Sequence, residues 1–526
     1  MAQTFGWAKM GDVGTGYNTA NNIATDPDGN VYVTGWFSNT TTFGTVSVTS
    51  SGGSDFFLAK YDSTGNLMWV RNGGSSGTEI GYGVKTDNFG NIYVTGTYGD
   101  SIRFGSTLLT TASAASGGNV FLAKFGSDGS VKWAKQATST EAQGQAVAVD
   151  KLGRPYIAGY FKDHLNFGTT SLTTGSLNSA MFIAKYDSAG NVIWSENSSG
   201  SSVNAYGIAI DNNNKAVVTG YFVSSASFGT TSLSGSAGYD FYLVDYDTLG
   251  NVVWAKSGGS TANDQGNAVS IDFAGNIYVT GSVGSPASID TVSITGSEGS
   301  FVAKFNTSGR CLWVRQITDT QPSVGGSIIA DSSGSTYVTG YFKGAGTFGS
   351  LAPLTSAGGW DVFITKYNTS GSPVWRTAAG GNGDDFSYGI ARYKGQLYIA
   401  GSFQDTAHFG GYSLESTGGT DIFSAKIMDT TYAAPPVSPS HLFFAERPIQ
   451  ISVYPNPANA YISLFGQGLT NSIVIITDVT GRELVKKFCD QDHVILDVNH
   501  LLPGMYFARI CTKNGETLTE KITVMH

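Results

Sequence analysis

The stretch Gly90-Asn91-Ile92-Tyr93-Val94-Thr95-Gly96 decides the fold, because close variants of it occur seven times along the chain. Successive copies are about 61 residues apart, and a fixed period of this size is typical of propellers and solenoids. The sequence therefore predicts a repeat array in place of one large core. The seven copies end at Gly35, Gly96, Gly159, Gly220, Gly281, Gly340 and Gly401.

The composition favours short strands joined by tight turns. Of 526 residues, 13% are charged and 70 are glycine, so we expect an all-β protein with little helix. The net charge of -9, without a basic cluster, argues against nucleic acid or an anionic membrane surface as a partner. No apolar run is long enough to span a membrane. Met1 to Lys9 lack a basic segment followed by an apolar run, so we identify no signal peptide there.

Each repeat contains two hairpins. In the second repeat, the first hairpin joins Tyr82 to Asp87 with Asn91 to Tyr98 through a turn whose glycine, Gly90, we expect to have positive φ. The second hairpin, in the first repeat, joins Phe57 to Tyr61 with Leu67 to Arg71. Four strands per repeat, named A to D in chain order, predict seven antiparallel blades. The first turn carries its glycine or asparagine at Gly29, Gly90, Gly153, Asn214, Gly275, Gly334 and Gly395.

The D strands predict how the ring closes. Each contains a tryptophan, but the last C strand, Asp421 to Ile427, is followed by none. We therefore expect Phe5 to Lys9 to complete the blade formed by Phe386 to Ile427 and to close a seven-bladed propeller. Because the tryptophans recur in every repeat, we assign them to packing between blades. They are Trp7, Trp69, Trp133, Trp194, Trp254, Trp313 and Trp375.

The two faces of such a disc differ. One face has only tight turns, whereas each connection from strand B to strand C runs about twenty residues on the other face. We expect binding on this long-connection face. A Phe-Gly step recurs in the connections, as in Phe43-Gly44, and is replaced by Ile289-Asp290 in the fifth repeat. Its regularity indicates that it anchors the connection to the blade.

Two aromatic residues on this face differ between repeats. Tyr239 and Trp360 stand just before a C strand, and they are followed by Asp240 and Asp361. An aromatic ring beside a carboxylate suits a sugar, because the ring stacks on C–H groups and the carboxylate accepts hydroxyl hydrogen bonds. The alternative is loop packing, with each aspartate bonded to backbone amides.

Acidic residues precede several A strands. Glu79, Asp264 and Asp385 lie five residues before the first apolar residue of their strands, which predicts that they line the mouth of a central channel. Such a ring would bind a cation or a basic partner, and the alternative is a solvated loop rim. Asp26-Pro27-Asp28-Gly29-Asn30 superficially resembles a calcium loop, but apolar residues replace the ligands in other repeats. We predict no metal site and no cofactor.

No catalytic constellation is recognised. Acid–base or nucleophilic catalysis needs groups at defined separation, and the six histidines neither recur in the repeat nor form a metal spacing. The most titratable cluster, Lys162-Asp163-His164, is interpreted as surface loop.

Residues 3 to 428 resemble the seven-bladed propeller repeat of secreted bacterial proteins. The resemblance rests on the recurring patterns Asp-x-x-Gly-Asn-x-Tyr-Val-Thr-Gly, Phe-Gly, Phe-x-Ala-Lys-Tyr-Asp and Gly-Asn-x-x-Trp. It implies the fold of residues 1–430 and does not identify a ligand.

A second domain follows a proline-rich linker at 431–448. About seven short strands within 449–526, with turns at Gly481 and at Lys513-Asn514-Gly515, predict a small Ig-like β-sandwich. The cysteines Cys311, Cys489 and Cys511 are too few for a disulfide framework or a zinc site, although a bridge from Cys489 to Cys511 stays open.

Four motifs in this tail resemble the type A C-terminal sorting domain of the type IX secretion system of Bacteroidota. The resemblance implies passage through the outer membrane by contact of 449–526 with the secretion machinery, and a secreted or surface location. The motifs are Tyr454-Pro455-Asn456-Pro457, Asp478-Val479-Thr480-Gly481-Arg482, Leu502-Pro503-Gly504-Met505-Tyr506 and Lys521-Ile522-Thr523-Val524.

These observations favour a monomeric, secreted or cell-surface propeller that binds a glycan or a protein in adhesion or nutrient contact. The alternatives are a secreted carbohydrate-active enzyme and a structural surface protein. Two nearby carboxylates in a deep pocket would favour the enzyme, whereas scattered polar and aromatic groups would favour binding.

Overall fold

The computed structural model describes residues 3–12, 16–111, 118–175, 178–432, 452–458, 460–466, 469, 472–489, 493–511 and 517–525. The chain divides into two compact units, Met1–Ala433 and Ala434–His526. The described residues form strands and turns, and none of them belongs to a helix that would cross a membrane.

The strands of the first unit follow the seven repeats, and β11 serves both as strand D of the second repeat and as strand A of the third. Before the repeats comes β1 (Thr4–Asp12). The first repeat contains β2 (Asn18–Thr25), β3 (Val31–Phe43), β4 (Val46–Tyr61) and β5 (Leu67–Gly73). The second contains β6 (Glu79–Thr86), β7 (Ile92–Tyr98), β8 (Ser101–Phe104), β9 (Thr107–Thr110), β10 (Asn119–Phe125) and β11 (Val131–Val149). The third continues with β12 (Pro155–Asn166), β13 (Ser171–Thr173), β14 (Ala180–Tyr186) and β15 (Val192–Asn197).

The later repeats have the same order. The fourth contains β16 (Ser199–Ile210), β17 (Ala216–Phe228), β18 (Thr231–Tyr246) and β19 (Val252–Gly259). The fifth contains β20 (Gln265–Ile271), β21 (Ile277–Val283), β22 (Ala287–Ile289), β23 (Val292–Ile294), β24 (Gly299–Phe305) and β25 (Cys311–Gln316). The sixth contains β26 (Thr318–Ala330), β27 (Thr336–Thr347), β28 (Leu354–Thr355), β29 (Asp361–Tyr367) and β30 (Pro373–Gly381). The seventh contains β31 (Phe386–Tyr393), β32 (Gln396–Phe403), β33 (Thr406–Phe409), β34 (Tyr412–Glu415) and β35 (Asp421–Met428).

Within each repeat, strands A, B, C and D pair in sequence and antiparallel, which gives an all-β, propeller-like arrangement. In the seventh repeat the C strand β35 pairs with the N-terminal strand β1, from Thr4 opposite Met428 to Gly11 opposite Ile422. The first strand of the chain thus takes the position that strand D holds in the other repeats.

The D-strand tryptophans join neighbouring repeats. Each indole Nε1 donates a hydrogen bond to the turn or chain end that follows strand C of the next repeat, at 3.0 to 3.4 Å. Trp7 does the same from β1 to the Ser63 carbonyl of the first repeat. In six repeats the indole also packs against the tyrosine of strand B, and a strand C lysine lies over that tyrosine ring at 5.0 to 5.9 Å. The recurring residues therefore bind the repeats to one another.

The turns between strands A and B are held by their aspartate. Asp87 Oδ1 accepts hydrogen bonds from the amides of Phe89 and Asn91 at 2.9 and 2.8 Å, while Gly90 has φ of 78°. Asn214, which replaces this glycine in the fourth repeat, has φ of 61°. The seventh repeat differs, because its turn has only two residues between the strands and Lys394 takes the positive φ of 54° in place of Gly395.

The long connections are β-hairpins and not the loops that we expected. The Phe-Gly step forms the hairpin turn, with φ of 59° at Gly44 and a fully buried Phe43. The hairpins of the first, fifth and seventh repeats also pair with strand D of the preceding repeat, as Gly11 opposite Phe43, Gly258 opposite Ile289 and Gly380 opposite His408 show. The connections are thus part of the scaffold.

The second unit consists of two antiparallel sheets around one core. One sheet has the order β36-β37-β40 and the other β39-β38-β41-β42. Ile462 and Leu496 from the first sheet meet Ile476, Ala508 and Ile522 from the second. The strands are β36 (Ser452–Tyr454), β37 (Tyr461–Phe465), β38 (Ser472–Asp478), β39 (Glu483–Cys489), β40 (His493–Asp497), β41 (Gly504–Cys511) and β42 (Thr517–Val524).

Some predictions for this region fall outside the described residues, namely most of the linker at 431–448 and the turn at 513–515. None of the three cysteines, all of which lie within the described ranges, forms a disulfide. Cys489 and Cys511 lie on strands that flank β38 on opposite sides, opposite Ser472 and Ile473. Two strand spacings are about 9.5 Å, which exceeds the reach of a disulfide.

Candidate functional site

The A strands of all seven repeats contain a β-bulge at the same position. Between two successive paired residues, one residue has no partner on strand B. A bulge turns its side chain away from the sheet, and bulges are frequent next to binding sites. The bulge residues are Asn21, Tyr82, Gln145, Tyr206, Asn267, Gly326 and Tyr388.

The last glycine of the recurring stretch accommodates this bulge. A Cβ on Gly96 would overlap the carbonyl oxygen of Ile80 on the facing A strand, and a Cβ on Gly220 would overlap that of Asn204. The other five copies have the same overlap with their own A strand. The stretch that predicts the repeat therefore also determines where each A strand bulges.

All seven bulge residues line one cavity of about 490 Å³ between the A strands. This volume lies within the range of small-ligand sites. We name it the central cavity. Its wall contains backbone, small and aliphatic residues, together with the amides and tyrosines of the bulges.

The bulge residues with amide side chains form hydrogen bonds that stabilise the wall of the central cavity. Asn21 Nδ2 donates to the Gly81 carbonyl, and Asn267 Nδ2 donates to the Gly325 carbonyl, both at 2.9 Å. Each bond crosses to the next A strand. Gln145 Nε2 donates to Gln143 Oε1 at 2.7 Å.

The tyrosine bulge residues remain neutral hydrogen-bonding groups. Burial, followed by the neighbouring Tyr206, raises the pKa of Tyr82 to about 12. Burial, followed by the neighbouring Tyr341, raises the pKa of Tyr388 to about 12. These phenols therefore stay protonated at neutral pH and combine a hydroxyl with an aromatic face.

One row of aromatic rings leads from the central cavity to the surface in the fourth repeat, and we name it the first ladder. Tyr206 on β16 lies 5.8 Å from Tyr221 on β17, measured between ring centroids. Tyr221 stacks on Tyr239 of β18 at 4.3 Å and an interplanar angle of 17°. Tyr239 is 37% exposed and forms the outer end. Asn204 Nδ2 donates to the Tyr221 hydroxyl at 3.0 Å and fixes the middle ring.

A second ladder spans the sixth and seventh repeats. Tyr341 on β27 is at its centre, with ring centroids 5.4 Å from Trp360, 4.8 Å from Phe386 and 6.5 Å from Tyr388. Tyr341 and Tyr388 line the central cavity, and Trp360 is half-buried. Both aromatic residues selected from the sequence, Tyr239 and Trp360, thus belong to ladders that reach the cavity.

Sequence reasoning missed the inner rings of both ladders. Tyr221 and Tyr341 directly follow the glycine that ends the recurring stretch. At this position three other repeats have a hydroxyl residue, Thr97, Ser282 or Ser402, and the remaining two have Trp36 and Tyr160. This variable position was the available signal. The bulge position lies five residues before the turn aspartate or, in the seventh repeat, before Tyr393. It varies in the same way and would have pointed to Tyr82, Tyr206 and Tyr388.

The aspartates beside the two outer aromatics are buried and bind their own loops. Asp240 Oδ2 accepts from the Ser236 amide at 2.8 Å, and Asp361 Oδ2 accepts from the Ala357 amide at 2.9 Å. Each aspartate is only 4% exposed. The alternative interpretation, an aspartate bonded to backbone amides, describes this geometry.

Glu79, Asp264 and Asp385 do not line the central cavity, which differs from our expectation. All three are fully buried, and none is among the lining residues. Each accepts a hydrogen bond from a backbone amide four residues earlier, at 2.6 to 2.9 Å. The physical reason is that the connection from strand D to strand A folds over its acid, because its free amides need an acceptor.

These acids form pairs with the aspartates that begin the C strands. Asp361 Oδ1 and Asp385 Oδ2 lie 2.8 and 2.7 Å from the point where a Cβ of Gly380 would be, so the two carboxylates are close neighbours. Burial raises the pKa of Asp361 to about 6, and burial with the charge of Asp361 raises the pKa of Asp385 to about 7. Burial and Asp55 likewise raise the pKa of Glu79 to about 7. Glu79 and Asp385 therefore take up protons as the pH falls through about 7.

The remaining titratable cluster is on the surface. Lys162 Nζ pairs with Glu141 at 2.8 Å, and His164 Nδ1 lies 2.9 Å from an exposed Asp163 carboxylate. Within the described ranges, no group of three or more His, Cys, Asp or Glu residues is arranged to hold a metal ion.

In the second unit, the first and last of the four tail motifs are joined. Asn456 Nδ2 donates to the Lys521 carbonyl at 2.7 Å, and Asn456 Oδ1 accepts from the Thr523 amide at 2.8 Å. Tyr454, beside it, is 54% exposed.

The two middle motifs are turns and strand starts. Asp478 Oδ1 accepts from the Thr480 and Arg482 amides at 2.9 and 3.1 Å, and Gly481 has φ of 86°. Strand β41 begins at Gly504. Two residues later, the Tyr506 hydroxyl donates a hydrogen bond back to the Leu502 carbonyl at 2.6 Å.

Fold and site together define a propeller-type repeat protein that has a separate C-terminal unit. Residues 452–525 match the family model described as the secretion system C-terminal sorting domain. Residues 5–36 and 257–282 match the β-propeller repeat. The chain therefore contains β-propeller repeats and a type IX sorting domain, which implies export to the cell surface or beyond.

Two curated proteins are similar in sequence. An uncharacterized WD repeat-containing protein of Acanthamoeba polyphaga mimivirus is 23% identical over 497 residues, which cover 75% of this chain and 36% of that protein. The regulatory protein FlaEY of Caulobacter vibrioides is 28% identical over 162 residues, which cover 28% of this chain and 16% of that protein. The matches thus span 36% of the first relative and 16% of the second.

Two solved structures are distantly similar to this chain. The quinohemoprotein alcohol dehydrogenase of Comamonas testosteroni has a TM-score of 0.38 at 9% identity, covering 83% of this chain and 78% of that one. A puromycin hydrolase has a TM-score of 0.41 at 8% identity, covering 86% of this chain and 58% of that one. Both TM-scores are below 0.5.

Proposed function

We propose that the protein is a secreted or cell-surface glycan-binding protein, which takes its ligand at the central cavity and serves adhesion or nutrient contact. The observation that supports this proposal is the convergence of two aromatic ladders on one cavity. Aromatic faces stack on the C–H faces of sugars, while tyrosine hydroxyls and amides bond to their hydroxyl groups. An extended protein segment is the second ligand class that such a cavity suits.

The fold that we propose for this function is a closed, seven-bladed propeller over 1–430, a linker over 431–448 and an Ig-like sorting domain over 449–526. Closure is supported by the pairing of β1 with β35 and by the bond from Trp7 to Ser63. A rigid ring would hold the two ladders at a fixed separation, which reduces the entropy lost on binding.

A binding role is favoured over glycoside hydrolysis by the lining of the central cavity. Hydrolysis needs two carboxyl groups that flank the scissile bond. The lining residues include no carboxylate, and the paired acids of the described loops are buried beneath backbone. A structural surface protein without a small ligand would bind no saccharide at all.

The test is a glycan array followed by titration calorimetry on the full chain. We expect Tyr206→Ala and Tyr388→Ala each to weaken binding about tenfold, or ~1.4 kcal/mol. Phe273→Ala is the matched control, because this ring is 74% exposed and outside the central cavity. Wild-type affinity in both tyrosine variants, or no glycan bound, would refute the proposal.

We further propose that the sorting domain delivers the propeller to the cell exterior through contact of 449–526 with the type IX machinery, and that the exported protein is a monomer. The match of 452–525 to the sorting-domain model supports this route. In a Bacteroidota host, removal of 449–526 is expected to abolish export, and equal export would count against it.

A further inference from the structure

Lys85 is the one charged residue in the lining of the central cavity. It lies on β6, three residues after the bulge residue Tyr82. The corresponding positions in the other six repeats hold small or aliphatic residues, namely Ala24, Ala148, Ala209, Ser270, Ile329 and Ala391. A single repeat therefore brings a cation to a wall that is otherwise uncharged.

The Lys85 ammonium group has no partner among the described residues. Within the described ranges it forms neither a hydrogen bond nor an ion pair. The side chain is reached by water, yet the surrounding strands lower its pKa by desolvation, and no carboxylate offsets that shift. A cation in such surroundings gains more from a negatively charged ligand than a lysine on the open surface does.

The distance between Lys85 and the aromatic rings indicates how long a ligand must be to contact both. Three residues along a strand correspond to about 10 Å, which is roughly two sugar rings. A saccharide stacked on Tyr82 or Tyr206 would thus place the next ring near Lys85. The cavity volume of about 490 Å³ leaves room for a ligand of this length.

We propose that the central cavity binds acidic saccharides, with the Lys85 ammonium group pairing with a carboxylate or sulfate on the sugar next to the one that stacks on tyrosine. This proposal rests on the proposed function and specifies its ligand class. The overall charge of -9 does not oppose it, because the acids of the neighbouring loops are buried and bonded to backbone amides.

The experiment compares matched ligands by calorimetry on the full chain. The probes are a uronic acid disaccharide with its methyl ester, and a sulfated disaccharide with its unsulfated form. Each is titrated into wild type, Lys85→Met, Lys85→Arg and the control Lys151→Met, which changes an exposed turn lysine outside the lining. The two ligand pairs distinguish a carboxylate from a sulfate.

We expect wild type and Lys151→Met to bind an acidic form at least tenfold more tightly than its neutral counterpart. Lys85→Met should lose this preference while keeping the affinity for the neutral form, and Lys85→Arg should retain most of it. Equal binding of acidic and neutral forms by wild type would overturn the inference and leave the proposed function intact. Absence of binding to any saccharide would overturn both.

Discussion

A single glycine connects the repeat signature to the site. Gly220 lacks room for a side chain because the Asn204 carbonyl of the bulged strand β16 occupies the space that a Cβ would need. Gly220 is also followed by Tyr221, the middle ring of the first ladder. The Asn204 carbonyl oxygen, which a larger residue would displace, therefore belongs to β16, the strand that also carries Tyr206.

We predict that Gly220→Ala lowers the free energy of unfolding by about 2–4 kcal/mol, because the added methyl group must push β16 away. Thermal denaturation would measure the loss. The control is Gly411→Ala, since nothing lies within 4 Å of a Cβ added there. Equal melting temperatures of the two variants would contradict this account of the signature glycine.

The buried acids predict how stability depends on pH. The folded-state pKa values of Glu79 and Asp385, about 7, exceed their ordinary values of 4.5 and 3.8, so the folded protein binds more protons between about pH 4 and 7. Their contribution to stability is therefore complete below about pH 4 and is lost as the pH rises through 7. The melting temperature should be higher at pH 5 than at pH 8.

Glu79→Gln should weaken this dependence, because an amide is neutral at every pH and still accepts the hydrogen bond from the Ser75 amide. At pH 8 we expect the variant to be more stable than wild type by roughly 1–2 kcal/mol. Differential scanning calorimetry between pH 4.5 and 8 provides the measurement. An unchanged slope in the variant would show that Glu79 is ionised in the folded protein.

At the scale of strands, hairpins were predictable and bulges were not. Alternating apolar residues and an Asp-x-x-Gly turn predict β6 and β7 well, because both signals are local. A bulge depends on contact between two strands, and only Gly96 shows it indirectly. The long connections were misjudged for a related reason. The length of the whole connection suggested a loop, whereas the strands on both sides of the compact turn at Phe43-Gly44 pair to form a hairpin.

The sorting unit offers a prediction at the same scale. Asn456 holds the first tail motif against β42 with two hydrogen bonds, so Asn456→Ala should destabilise this unit by about 1–2 kcal/mol. Export in a Bacteroidota host should fall accordingly. Asn499→Ala, which changes an exposed residue whose side chain forms no such bond, is the control. Normal export of the Asn456→Ala variant would show that export does not depend on these two hydrogen bonds.

At the scale of the molecule, the ends of the first unit stabilise each other. Strand β1 pairs with β35 over Thr4 to Gly11, and Trp7 packs against Tyr61 and Tyr398 on either side. Deleting residues 1–10 should therefore lower the melting temperature substantially. The milder Trp7→Ala should lower it less, and an unchanged midpoint in the deletion variant would argue against a closed ring.

The sequence also allowed the repeat class and the sorting tail to be recognised, since both depend on short motifs in fixed order. The site was only partly predictable. Tyr239 and Trp360 stood out because their position varies between repeats, whereas the burial of Glu79, Asp264 and Asp385 depends on how each loop folds back, which spacing does not reveal.

The most direct test of the central claim is a crystal structure of the full chain with the tightest-binding saccharide from the array. We predict density for sugar rings inside the central cavity, stacked on Tyr206 or Tyr388, with hydroxyl groups bonded to the tyrosine and amide side chains of the bulges. A saccharide bound on the outer hairpins, with the cavity occupied only by water, would contradict it.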